Sequence, residues 1–257
     1  EDALASLEAD KRIVTLLEIG LKNNRFALQF QPIVSLHAEP GERYEVLVRL
    51  KDQDDSLIMP SEFLEAAQHA GLMTEIDKWV IKSAAKAMLD KRKIGKEIQF
   101  FIKLSADSLR DPNLLVWISK LLQAARLHGD SFVFEISEQD ALENIKIAKT
   151  FSNGLKQLHC NLAIDHAGKD SKDLAYLKHL QLKYLKIDGS HISNADNEES
   201  QEIIQKVAEA TGQTANALYK TLQRIRVLPA GSSPDTQSRV ATQRAKSANE
   251  VVNSFGR

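Results

Sequence analysis

Charged side chains recur at the ends of short apolar runs in this sequence, with a spacing that gathers them on common faces. In Tyr44-Glu45-Val46-Leu47-Val48-Arg49-Leu50, the period of two of an extended chain puts Glu45, Leu47 and Arg49 on one face. Phe101-Ile102-Lys103-Leu104-Ser105 carries Lys103 and Ser105 on its polar face, and Val133-Phe134-Glu135-Ile136-Ser137 sets Glu135 with Ser137. Ala163-Ile164-Asp165 ends in Asp165, and Tyr184-Leu185-Lys186-Ile187-Asp188 aligns Lys186 with Asp188. Interiors of a parallel sheet are nearly all apolar, and isolated buried charges are costly unless paired or bound to something. Charges at the ends of five such runs therefore point to a site. Its four carboxylates (Glu45, Glu135, Asp165, Asp188) face three cations (Arg49, Lys103, Lys186), a net of −1. A two-metal hydrolytic centre needs a surplus of carboxylates. Like charges about 4 Å apart repel by about 4 kcal/mol at an effective dielectric near 20, so an ammonium among the ligands opposes metal entry.

The runs that carry these residues alternate with helical patterns. An amphipathic helix over about Ala3–Asn23 leads into strands Phe26–Val34 and Tyr44–Leu50, joined by a turn around Glu39-Pro40-Gly41. The pattern then predicts helices over Ser61–His69 and Glu75–Lys93, strand Ile98–Leu104, helix Asn113–Leu127 and strand Phe132–Ile136. Helix Gln139–Leu158, strand Asn161–Asp165, a short helix Asp173–Leu180, strand Leu182–Ile187 and helix Glu198–Ala210 complete it. Strands separated by helices build a parallel sheet, because parallel strands need crossover connections. Six strands before residue 190 predict an α/β fold of the TIM-barrel type, whose sites lie at the C-terminal ends of its strands. A seventh or eighth strand is not evident beyond the short run Ile225–Leu228.

Across 257 residues, 34 Lys and Arg balance 35 Asp and Glu, which argues against a dedicated nucleic-acid or anionic-membrane binder. One cysteine, Cys160, excludes an intrachain disulfide and a Cys-based zinc site, and fits a reducing compartment; beside His159 it reads as packing. His166 reads as a hydrogen-bonded strand-end residue. No run is long and apolar enough for membrane insertion, and Glu1–Arg12 has no apolar signal-peptide core. The first residue is not Met, which is expected of a segment of a longer chain. Residues 214–257 hold seven Lys and Arg against two Asp and Glu, a net of +5 that leaves −6 over residues 1–213. This atypical basic segment has few large apolar residues, and 229–257 is expected to be disordered.

The ordered runs Gln31-Pro32-Ile33-Val34, Glu45-Val46-Leu47-Val48-Arg49-Leu50, Glu135-Ile136-Ser137-Glu138, Asp165 and Lys186-Ile187-Asp188 resemble the EAL domain family. Pro60, Phe63-Leu64, Ala67, Gly71-Leu72 and Asp77-Lys78-Trp79-Val80 add to the likeness, which covers about Phe26 to Ser190. The resemblance implies a barrel domain over residues 1–213, with residues 1–24 as lead-in helix, an antiparallel first strand pair, and a bacterial, cytoplasmic setting in cyclic di-GMP signalling. It implies that Glu45, Glu135 and Asp165 match acidic metal ligands and that Lys186 matches a lysine positioning the attacking water. Gln31, Leu47 and Arg49 match dinucleotide-binding positions, and Asp188 closes the same motif.

The sequence also departs from the family pattern. Lys103 replaces a metal-binding Asn, and Asp165-His166-Ala167-Gly168-Lys169-Asp170 replaces two adjacent Asp and a Phe-Gly-Thr-Gly loop. A late strand with a catalytic Glu and a final Gln-Gly strand are missing or altered. These departures resemble the degenerate, FimX-like type, which binds cyclic di-GMP without cleaving it and links it to PilZ-type adaptors and type IV pilus assembly. The expected function is a catalytically inactive receptor with no resident metal. The alternatives are a phosphodiesterase using Mg or Mn on Glu45, Glu135 and Asp165, and a nucleotide-independent protein-interaction module.

Overall fold

The computed structural model describes residues 2–33, 41–92, 97–171, 173–193, 197–211 and 216–217. The short candidate run Ile225–Leu228 and the 229–257 tail lie outside them. Packing divides the chain into two compact units, one of Glu1–Gln31 with Tyr44–Phe134 and one of Pro32–Arg43 with Glu135–Arg257.

In the first unit α1 (Asp2–Asn23), α2 (Pro60–His69) and α3 (Met73–Arg92) accompany β1 (Phe26–Ile33), β2 (Glu42–Lys51), β3 (Leu57–Ile58) and β4 (Ile98–Lys103). The strand order is β1-β2-β4-β5, with β3 pairing off β2 in antiparallel register Leu50↔Ile58. Pro60 opens α2 without losing a helical hydrogen bond, and the Glu62 side chain accepts the Met59 N–H at 2.8 Å. On α3, Ile76, Val80, Ile81, Ala84, Ala85 and Met88 are buried at helical spacing. Phe26 packs its ring 6.2 Å from Phe63 and 5.3 Å from Trp79, so Trp79 is a packing residue. Two short helices, α4 (Ala106–Arg110) and α5 (Leu114–Ala125), follow β4.

β5 (Phe132–Ser137) leads from the first unit into the second, where the order is β5-β6-β7-β8. β6 (Asn161–Ala167), β7 (Tyr184–Ile187) and β8 (Asn216–Ala217) run parallel, and β7 is buried at every position, as expected for a strand covered on both faces. The two-residue β8 pairs where the sequence offered no strand signal, since an Asn-Ala pair is too short to show a period. The helix expected over Gln139–Leu158 is two helices, α6 (Glu138–Glu143) and α7 (Ile145–Gln157). Asn144 breaks it: its φ of −124° and ψ of 34° are not helical, and its side chain donates to the Asp140 carbonyl at 3.0 Å. The segment after Asp173 is a 3₁₀ turn over Leu174–His179, capped by Asp173 on the Ala175 N–H at 2.9 Å. Helices α8 (Gly189–Ser193) and α9 (Glu198–Thr211) close the unit. Cys160 is buried, as expected for a packing residue.

Candidate functional site

β2 delivers Glu45 and Arg49 as buried charges, with Leu47 half-buried between them. The Glu45 carboxylate meets the Lys103 ammonium, from the end of β4, at 3.3 Å. Arg49 is held differently. It is only 4% exposed, and the hydrogen bond it makes is donated to the adjacent Val48 carbonyl at 2.7 Å. Burial lowers its pKa, because removal from water disfavours the cation. Gln31 stands half-buried on β1.

Two residues beyond Lys103, Ser105 does not join the charges. Its hydroxyl caps α4 by accepting the Ser108 N–H at 3.2 Å, and its own N–H and hydroxyl donate to Asp77 Oδ2 at 2.8 and 2.7 Å. Asp77 is buried on α3, and that burial raises its pKa above the ordinary carboxyl value.

In the second unit Glu135, Asp165 and Lys186 are all at most 3% exposed. The Lys186 ammonium lies 2.9 Å from Glu135 Oε1 and 3.8 Å from Asp165 Oδ1, so one cation serves two buried carboxylates. Register shifts between Ile164 and Ala167 of β6, and His166 in that bulge has φ of 60°. Such bulges re-aim side chains. Here the His166 ring reaches Asp188 Oδ2 at 2.7 Å and Asp165 Oδ2 at 3.5 Å. Asp188 therefore pairs with His166, where period two alone had set it beside Lys186. Burial pushes the Asp188 pKa up, but the Ser190 N–H and hydroxyl, at 2.9 and 2.6 Å, and His166 outweigh this and hold it at about 2. Ser137, expected beside Glu135, instead caps α6 by accepting the Asp140 N–H at 3.0 Å.

Residue typing missed Glu138. Its buried carboxylate accepts the N–H groups of Gly168, Asp170 and Ser171 at 3.1, 2.7 and 3.2 Å and the Tyr176 hydroxyl at 3.0 Å. The accepting carboxylate and burial together push the Tyr176 pKa upward, burial most. Among the described residues, four donors thus satisfy this anion. The segment they hold needs a glycine: Gly168 has φ of 84°, and a Cβ there would sit 2.4 Å from Ile203 Cγ2. The quoted run Glu135-Ile136-Ser137-Glu138 already contained Glu138, but a carboxylate in the first turn of a helix reads as a solvated residue. Asp77 was hidden in the same way.

Of the ligand set that the resemblance implies for a pair of divalent cations, the buried carboxylates Glu45, Glu135 and Asp165 are present and two other positions differ. Lys103 contributes a positive charge on Glu45 where a neutral donor is required. His166 commits its ring to Asp188 where a second carboxylate is required.

The EAL domain family description matches residues 15–214. The chain is 36% identical over 179 residues to the cyclic di-GMP phosphodiesterase PdeF of Escherichia coli, covering 69% of this chain and 24% of that protein. It is 30% identical over 179 residues to the signaling protein YkoW of Bacillus subtilis, covering 70% of this chain and 22% of that one. The chain thus spans about a quarter of the length of these curated relatives. Among solved structures, the FimX EAL domain from Pseudomonas aeruginosa bound to c-di-GMP superposes with a TM-score of 0.75 at 39% identity, covering 80% of this chain and 84% of that one. Acidic and basic residues at the ends of successive strands of an α/β fold, with these matches along most of its length, are those of one family, and the chain belongs to the EAL domain family.

Proposed function

We propose that this chain is a receptor domain that binds cyclic di-GMP without a resident metal and does not cleave it. The observation that carries the reading is Arg49. A guanidinium buried with, among the described residues, a neutral carbonyl as its one partner is costly to the folded chain. Its forked donors suit a phosphodiester oxygen pair, and binding one would offset that cost. In the first unit Leu47 offers an apolar surface for a purine and Gln31 an amide donor and acceptor; in the second unit Asp188 carries a carboxylate that stays ionised at neutral pH. The likeness to an EAL domain bound to c-di-GMP supports the same ligand.

Lys103 and His166 support binding without hydrolysis, because they put a cation paired with Glu45, and a ring paired with Asp188, where the family pattern has metal-binding residues. In this reading Glu45, Glu135, Asp165 and Lys186 are a paired remnant of the catalytic set. The resemblance to the FimX type supports a PilZ-type adaptor as partner, a role in type IV pilus assembly, and a cytoplasmic setting. Among the described residues no helix is long and apolar enough to cross a membrane. Calorimetric titration with cyclic di-GMP in EDTA should give micromolar or tighter binding, and chromatography should show no linear dinucleotide. Absence of binding heat points to an interaction module, while product formed with magnesium or manganese points to a phosphodiesterase; either removes the proposal.

A further inference from the structure

The lysine that faces Glu45 stands at the last position of β4, where a strand gives way to a turn and a side chain's direction is least fixed by the sheet. What fixes this strand end comes from α3. Asp77 Oδ2 accepts both the backbone N–H and the hydroxyl of Ser105, at 2.8 and 2.7 Å, two residues beyond Lys103. Ser105 in turn starts α4 with its hydroxyl on the Ser108 N–H. One buried carboxylate, 6% exposed, thus ties the end of β4 to α3 and fixes the start of α4.

An acid is an expensive choice for such a place if stability alone were at stake. An Asn could accept the same N–H, and a hydrophobic pair could fill the same volume at little cost. A carboxylate oxygen taking two donors from one residue restricts both the φ/ψ and the χ1 of Ser105, which a neutral amide does less firmly. The restricted turn sets where Lys103 leaves the strand. Lys103 has a long, flexible stem, and its side chain is 45% exposed although its ammonium lies on a carboxylate only 9% exposed. Left to itself, an exposed lysine ion pair contributes little because ordering the stem opposes it. A fixed starting point for the stem reduces that opposition.

We propose that Asp77 is a positioning residue that, through Ser105, holds Lys103 on Glu45 and so keeps the first unit's carboxylate neutralised for ligand binding. The binding consequence rests on the reading of this chain as a metal-free cyclic di-GMP receptor; the positioning does not. Asp77 acts here on a protein side chain, and nothing in the inference requires it to touch ligand.

The test is a cycle of Asp77→Asn, Lys103→Ala and the double variant, with Ser105→Ala as a milder perturbation that keeps the carboxylate and removes one of its two bonds. Cyclic di-GMP is titrated calorimetrically into each in EDTA, and the Lys103 ammonium is followed by nitrogen NMR on lysine-labelled protein. Asp77→Asn is expected to weaken binding about fivefold, Ser105→Ala by less, and the double variant no further than Lys103→Ala alone. The Lys103 ammonium signal of Asp77→Asn should move towards that of Glu45→Gln. If Asp77→Asn and Ser105→Ala leave that signal in place, or the binding losses of Asp77→Asn and Lys103→Ala multiply, Asp77 does not act through Lys103. If wild-type protein gives no binding heat but the ammonium signal shifts as described, the receptor reading fails and the positioning role stands.

Discussion

At the scale of single residues, the buried cations of this chain fall into two kinds. Lys186 sits on Glu135 and Asp165, so its charge is compensated within the fold. Among the described residues Arg49 has only a carbonyl. Opposite consequences follow on substitution. Lys186→Met leaves two buried carboxylates without that cation and should destabilise the chain by about 3–5 kcal/mol in urea unfolding. Arg49→Met removes a desolvated charge and should leave stability unchanged or raise it by about 1 kcal/mol, while weakening cyclic di-GMP binding at least about tenfold. Parallel losses of stability in both variants would contradict the distinction. The sequence shows Arg49, Glu135 and Lys186 because a charge in an apolar run is conspicuous. It conceals Asp77 and Glu138, because a carboxylate on a helix is ordinarily a solvated one, and only the donors converging on it reveal otherwise.

At the scale of elements, Glu138 at the start of α6 organises the segment after β6 through three backbone donors and a phenol. Glu138→Gln keeps the shape but loses the charge that strengthens all four bonds, a loss of about 1.5–3 kcal/mol. Amide exchange at Gly168, Asp170 and Ser171 should then accelerate about tenfold or more, with the β7 amides unchanged. Uniform acceleration across the second unit would instead make Glu138 a general core residue. The strands of the sheet were largely legible, since apolar runs bounded by breakers have few other uses. The break at Asn144 was not, because the apolar period of α7 continues that of α6 and only the side chain's bond to Asp140 interrupts the backbone. Two-residue strands such as β3 and β8 exist through their pairing partners and carry no pattern of their own.

For the whole molecule, pH should act on stability through Asp77. Burial raises its pKa above the ordinary 3.8. The folded chain therefore binds this proton more readily than the unfolded chain. The contribution is full below the unfolded value and is lost as pH rises through the raised folded one. The stability of wild type relative to Asp77→Asn should thus fall as pH rises above the ordinary carboxyl range, read from urea midpoints. A constant difference would mean that the Ser105 bonds cancel the burial. Family membership was legible in the ordered motifs, because strand-end residues recur at spacings that the fold dictates. The pairings Glu45–Lys103 and His166–Asp188 were not, because residues far apart in sequence meet only once strands and bulges have set their register.

As proposed, this chain grips cyclic di-GMP with its own cations. The measurement that bears on it most directly is the dissociation constant of cyclic di-GMP in EDTA set against that in millimolar magnesium, with the nucleotide recovered and chromatographed afterwards. The predicted result is the same constant within about twofold and intact ligand in both. Binding that appears or tightens tenfold only with magnesium, or recovery of linear dinucleotide, would contradict it.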